Sequence, residues 1–209
     1  CNYPFKELCG CGVGFKLAQA YHQYFNLRFE DLIPLLDLVV VSIAADIVPI
    51  IDENRVLAFY GLQQLNSNPR IGLKALMTVA NRKEIFNISD VVFGLAPRIN
   101  AAGRIEHGNK AVELLVQEDF SQAKVKAEYI DKHNLTRKEL DQNITKEALE
   151  KIVPNAKTTV VFSEKWHKGV VGIVASRLIE THYRPTIVLT ESHGKLTGSA
   201  RSVSGFDVY

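Results

Sequence analysis

The spacing of apolar and polar residues changes several times along the 209 residues. After a glycine-rich start (Gly10, Gly12, Gly14), Val13, Leu17, Tyr21 and Tyr24 recur at helical spacing and predict a helix buried along that face. Leu38–Ile43 is a short, continuous apolar run rich in β-branched residues. It predicts a strand covered on both faces, as in a parallel sheet. Residues 53–65 and 71–80 read as helices, with Asn66-Ser67-Asn68-Pro69 as the break between them. Residues 93–104 have no clean period. Small residues alternate there with Arg98 and Arg104, which predicts a loop holding two arginines.

From Asp119 to Val153 the pattern is one long helix. Asp119 and Gln122 form a capping box, Leu140, Ile144, Ala148 and Ile152 repeat every four residues, and Pro154-Asn155 ends the run. About 34 residues rising 1.5 Å each span roughly 50 Å, long for a core helix. Its charged surface predicts a solvated helix joining two domains. A strand (Thr158–Phe162), a helix (Gly169–Thr181, with Val170, Ile173, Val174 and Leu178 on a wide apolar face) and strands at Thr186–Thr190 and Lys195–Ser202 follow. The expectation is an α/β protein of two α/β units, divided inside or just after the long helix.

Apolar residues at 46% and charged residues at 23% are globular values, which excludes disorder, collagen-like repeats and coiled-coil fibre. A net charge of +2 is too small to coat nucleic acid by bulk charge. It is unevenly placed: residues 156–209 carry seven Lys or Arg and four Asp or Glu. A mild basic excess gains meaning only beside specific anion-binding groups. No apolar stretch reaches the length of a membrane span. Three cysteines make no disulfide scaffold, and Cys9-Gly10-Cys11 is too close for a metal or redox pair. Cys1 is not a start Met and no secretory pattern follows, so the chain reads as an excised segment of a longer cytoplasmic protein. The sequons at Asn87, Asn134 and Asn143 then read as chance matches.

Four places carry candidate chemistry. Asp46 follows the Leu38–Ile43 run, where open α/β sheets place ligands. Its apolar neighbours Ala45, Ile47 and Val48 predict a secluded carboxylate, which needs a cation or several donors. A hard divalent metal is one solution, and a helix cap or turn is the other. In Thr197–Ser202, hydroxyls and an arginine alternate around Gly198. On a strand Ser199 and Arg201 share a face, which suits either a phosphate clamp or a polar edge. Trp166 and His167 lie between lysines at a helix start, where a base could stack on the indole or the indole could close a core edge. Arg98 and Arg104 flank Asn100 and suit an anion or surface salt bridges. No Ser/His/Asp or Cys/His nucleophile set stands out.

Taken together and in order, these motifs resemble the RecJ family of single-stranded-DNA-specific 5′→3′ exonucleases, within the DHH phosphoesterases. The residues that carry the resemblance are Leu8–Leu17, Ala45–Pro49, Glu53-Asn54-Arg55, Ala96–Arg104, Trp166–Arg177 and Gly198–Ser202. The resemblance implies the C-terminal part of a DHH domain (1–118), a long connecting helix (119–154) and a truncated DHH-associated substrate-binding domain (155–209). It implies two ions, Mn²⁺ or Mg²⁺, that activate a water and stabilise charge on phosphorus. Asp46 would be the last metal-ligand aspartate. Ser199 and Arg201 would bind the 5′-terminal phosphate, within the run Gly198–Ser202. Arg98 or Arg104, on either side of Asn100, would be a further phosphate ligand, and His167, next to Trp166, a substrate-side histidine. The implied partner is single-stranded DNA with a 5′ end, and the implied setting is DNA recombination and repair. The family's earlier aspartates and its Asp-His-His motif would precede residue 1, and its Gly-Gly-His segment and OB-type domain are also missing. One metal-ligand aspartate is too few, so the isolated chain is expected to be inactive. A DHH phosphodiesterase of short oligonucleotides or cyclic dinucleotides, or a non-catalytic nucleic-acid-binding relative, are the alternatives.

Overall fold

The structure is a computed structural model and describes residues 2–80, 84–105 and 108–208. Two compact units divide within one helix, between Asn134 and Leu135.

The first unit is helical throughout its described residues. Helix α1 (Gly10–Tyr24) starts at Cys9, whose Sγ accepts from the Gly12 N–H at 3.3 Å. It buries Gly12 and Phe15. The predicted stripe faces the other way: Val13, Leu17, Tyr21 and Tyr24 are 56–79% exposed. After a 3₁₀ segment (Phe29–Leu35) comes α2 (Leu36–Asp46), where a strand was expected. Leu36, Asp37, Val39, Val40, Val41, Ile43 and Ala44 are all buried. A helix enclosed on every side needs apolar residues all round, and over six residues that pattern is the same as a two-sided strand's.

Helix α3 (Asp52–Ser67) crosses α2 at Gly61. A Cβ there would sit 2.6 Å from the Leu36 carbonyl oxygen and 2.7 Å from the Val40 Cβ, so only glycine allows the approach. Asp37 is fully buried on α2. It accepts from the Arg70 backbone N–H at 2.9 Å and from Arg70 Nε at 2.9 Å, at the start of α4 (Ile71–Val79). A charge taken out of water requires a partner of this kind. One helical turn (α5, Ile88–Asp90), a π turn (Val91–Leu95), α6 (Ala96–Ile105) and α7 (Asn109–Leu115) complete the layer.

Helix α8 (Phe120–Glu150) is the predicted long helix, and Asp119 Oδ1 accepts from the Gln122 N–H at 2.8 Å as the capping pattern required. Its buried positions, Ala123, Ala127, Ile130 and Asn134 and then Asp141, Ile144 and Ala148, follow a three-and-four spacing.

The second unit holds all the strands of the described residues. β1 (Thr159–Phe162) and β2 (Thr186–Ser192) pair in parallel, joined through α9 (Val171–Thr181). β2 and β3 (Lys195–Arg201) pair antiparallel across His193-Gly194, both at positive φ as a two-residue hairpin requires. Thr186, Val188 and Thr190 are buried along β2 at the strand period of two, and α9 buries Val171, Val174, Ala175 and Leu178. The chain is α/β as expected, but the first unit contributes helices only.

Two outcomes follow from the first unit. Gly61→Ala forces apart α2 and α3 and should cost about 1–3 kcal/mol, read as a lower urea midpoint with an unchanged slope. Glu53 accepts from Tyr3 Oη at 2.9 Å and pairs with Lys16 Nζ at 2.6 Å. The Lys16 ammonium holds its carboxyl below the usual carboxylate range. The stabilisation is therefore present at neutral pH and lost as pH falls through that range. The stability gap between the natural chain and Glu53→Gln should close in acid; a gap independent of pH would contradict this role.

Candidate functional site

Ser199 and Arg201 stand two residues apart on β3, and the strand directs both side chains toward the first turn of α9. A Cβ added to Gly172 would lie 3.4 Å from Ser199 Oγ and 3.7 Å from Arg201 Nη2. The helix cap, Val170, offers no side-chain hydrogen bond to that turn. The first N–H groups of a helix have no intrahelical acceptor and favour anions. A hydroxyl, a guanidinium edge and a helix start therefore converge on one spot. Arg201 is anchored there: Nε donates to Ser176 Oγ at 3.2 Å and Nη1 to the Ala200 carbonyl at 3.0 Å.

Gly198 serves a different purpose from the expected approach of a ligand. A Cβ there would overlap the Val188 carbonyl oxygen and come within 2.7 Å of Leu189 Cδ2, so glycine lets β3 lie against β2. Ser202 lies just past the strand and donates to the Phe206 carbonyl, closing the turn that follows.

The segment entering α9 places two further candidates. His167 is half-buried and its Nδ1 accepts from the Gly169 N–H at 3.1 Å, which puts the proton of the neutral ring on Nε2. Trp166 is not a stacking surface. It is 3% exposed, its Nε1 donates to Glu147 Oε2 at 2.9 Å, and Lys151 Nζ lies 5.4 Å from the ring centre. An indole so covered has no face to offer a base.

In the first unit, residues 93–104 are not a loop. The π turn feeds straight into α6, and Pro97, which has no N–H to donate, follows that turn directly. The helix separates the two arginines. Arg98 is largely buried, with Nε on Asp131 Oδ1 at 2.7 Å and Nη1 on the Gly94 carbonyl at 2.6 Å. Asn100 and Arg104 are exposed one turn apart on the same face.

Asp46 is the last residue of α2 and is exposed, not secluded, because the predicted strand is a helix that ends there. Ser42 Oγ donates to Asp46 Oδ2 at 3.2 Å, and Ile47 turns the chain at a φ of 53°. Asn54 Nδ2 donates to the Pro49 carbonyl at 3.0 Å and to the Glu7 carbonyl at 2.7 Å, tying down the segment after Asp46. Among the described residues no three His, Cys, Asp or Glu side chains group to hold a metal ion. A single exposed carboxylate such as Asp46 is too few to make a metal centre.

Gly172 and Ser176 were not singled out in the sequence as site residues. Their signal is a small and a hydroxyl residue four apart beside the apolar face of α9, and it gains meaning only once β3 lies against that helix.

Residues 155–209 match the DHHA1 domain family. The single-stranded-DNA-specific exonuclease RecJ of Bacillus subtilis is 44% identical over 100% of this chain and 27% of its own length. Two crystal structures of RecJ from Thermus thermophilus superpose at 30% identity. The one in complex with Mg²⁺ gives a TM-score of 0.89 over 99% of this chain and 32% of that one. The one in complex with Mn²⁺ gives 0.87 over 98% and 30%. The chain thus spans about a quarter to a third of the length of these proteins. With sequence and backbone both matched from end to end of this chain, it is homologous to a segment of the RecJ exonucleases.

Proposed function

We propose that this chain is the part of a single-stranded-DNA 5′→3′ exonuclease that captures the 5′-terminal phosphate. The observation that carries this reading is the convergence of Ser199 and Arg201 on the start of α9 at Gly172. A terminal phosphate has one more anionic oxygen than an internal phosphodiester. A site with a guanidinium edge, a hydroxyl and the start of a helix rewards that oxygen. The relatives named above are single-stranded-DNA-specific exonucleases, which makes a DNA strand the ligand that such a clamp would hold. Arg98 is committed to Asp131 while Arg104 is exposed near Asn100, which supports Arg104 with Asn100 as the further phosphate contact. His167 would donate from Nε2 on the substrate side.

The intact protein would hydrolyse phosphodiester bonds with Mn²⁺ or Mg²⁺ to release 5′ mononucleotides, in DNA recombination and repair in the cytoplasm. RecJ has been crystallised with either ion. Asp46 would be one metal ligand among several, and the others lie outside these residues. The isolated chain is accordingly a binding part without activity of its own.

The test compares short fluorescent single strands carrying a 5′ phosphate or a 5′ hydroxyl. Charge-assisted hydrogen bonds of about 1.5–3 kcal/mol predict a preference for the phosphate of roughly 10- to 100-fold. Arg201→Ala should abolish it while leaving the hydroxyl strand's affinity nearly unchanged. Equal affinity for both strands in the natural chain would overturn the reading. Release of mononucleotides by the isolated chain with Mn²⁺ would overturn its assignment as a binding part.

A further inference from the structure

We infer that Ser176 is a positioning residue of this site: it fixes the Arg201 guanidinium so that its Nη2 edge faces the start of α9. The inference rests on the phosphate-clamp reading and adds a residue with no predicted contact to the ligand.

Three observations carry it. Ser176 Oγ lies 3.2 Å from the Gly172 carbonyl, to which it donates its only proton one turn back along α9. With that proton spent, the oxygen can only accept, and Arg201 Nε is the donor it accepts from, at 3.2 Å. The strand's own Ala200 carbonyl takes Nη1 at 3.0 Å. Two edges of a planar fork are thus held, one by the helix and one by the strand. The remaining nitrogen, Nη2, is the one that reaches Gly172, where Ser199 Oγ also lies.

Arg201 is exposed, and an exposed arginine left to itself samples many rotamers. Anchoring Nε before the ligand arrives removes most of that ordering from the binding step. The hydroxyl therefore contributes to phosphate affinity through the arginine. The same geometry explains the two residue types on α9: Gly172 leaves room for the ligand's oxygens, and one turn on Ser176 supplies the acceptor.

The experiment measures affinity of the full 209-residue chain for the 5′-phosphate and 5′-hydroxyl strands in a set of variants. Loss of one preorganising hydrogen bond predicts that Ser176→Ala lowers the phosphate preference roughly fivefold. Affinity for the hydroxyl strand and the melting temperature should not move, which a merely structural role would not allow. Ser176→Thr should keep the preference, since its hydroxyl can make the same bond to Gly172. Ser176→Cys, close in volume but a poor acceptor, should lose it as alanine does. Combined with Arg201→Ala, Ser176→Ala should have no further effect.

A Ser176→Ala chain that retains the natural preference overturns the inference and leaves the clamp standing. So does an equal loss in the Arg201→Ala background. A natural chain without any preference removes the clamp itself, and the role of Ser176 with it.

Discussion

The first unit is organised around a helix with almost no solvent face. α2 is buried along nearly its whole length, and its neighbours meet the three demands this creates. Every side must be apolar, which Leu36, Val39, Val40, Val41, Ile43 and Ala44 provide. A neighbouring helix must come closer than two side chains permit, which Gly61 allows. The one buried charge in the helix must be matched, and Asp37 receives two donors from Arg70 at the start of α4. The core helix then breaks abruptly at Ile47, and the residue at its tip, Asp46, emerges into solvent on a rigid support.

The second unit solves a different problem with fewer parts. Its sheet has three strands, and α9 must both cover that sheet and leave its own first turn accessible. It does so by dividing its surface. Val171, Val174, Ala175 and Leu178 are buried, while Gly172 and Ser176 meet the polar side chains of β3. The polar convergence at Gly172 is a by-product of that packing: the hydroxyl and guanidinium come from the strand, and the helix adds its start. Neither element has the site alone.

Much of this was legible in the sequence where one local rule decides. The length of α8, its cap at Asp119, the helix α9 and the strands around it each rest on nearest neighbours along the chain. The failures share a cause in tertiary context. The apolar run at 38–43 fits a two-sided strand or an enclosed helix, and only the surrounding helices settle which. The α1 stripe was read correctly as helical and wrongly as buried, because periodicity says that a face is apolar and not where its partner lies. The lack of a clean period over 93–104 suggested a loop, yet a π turn carries the helix through Gly94 and into Pro97. Trp166 looked like a stacking platform because spacing carries no information about the Glu147 carboxylate that ties it down.

The motif residues separate by whether their polar groups are already occupied. Glu53 is held by Tyr3 and Lys16, Asn54 stitches two backbone carbonyls, and Arg98 is closed by Asp131 and Gly94. Gly198 is filled by the neighbouring strand. Such residues build the scaffold, since a ligand would have to displace a partner of comparable strength. Asp46, Asn100 and Arg104 are exposed, and Ser199 with the Nη2 edge of Arg201 faces a helix start that lacks a side-chain cap. These groups are held by few or no protein partners. A motif match weighs all its residues alike; the hydrogen-bond partners divide them into those that hold the fold and those left to bind.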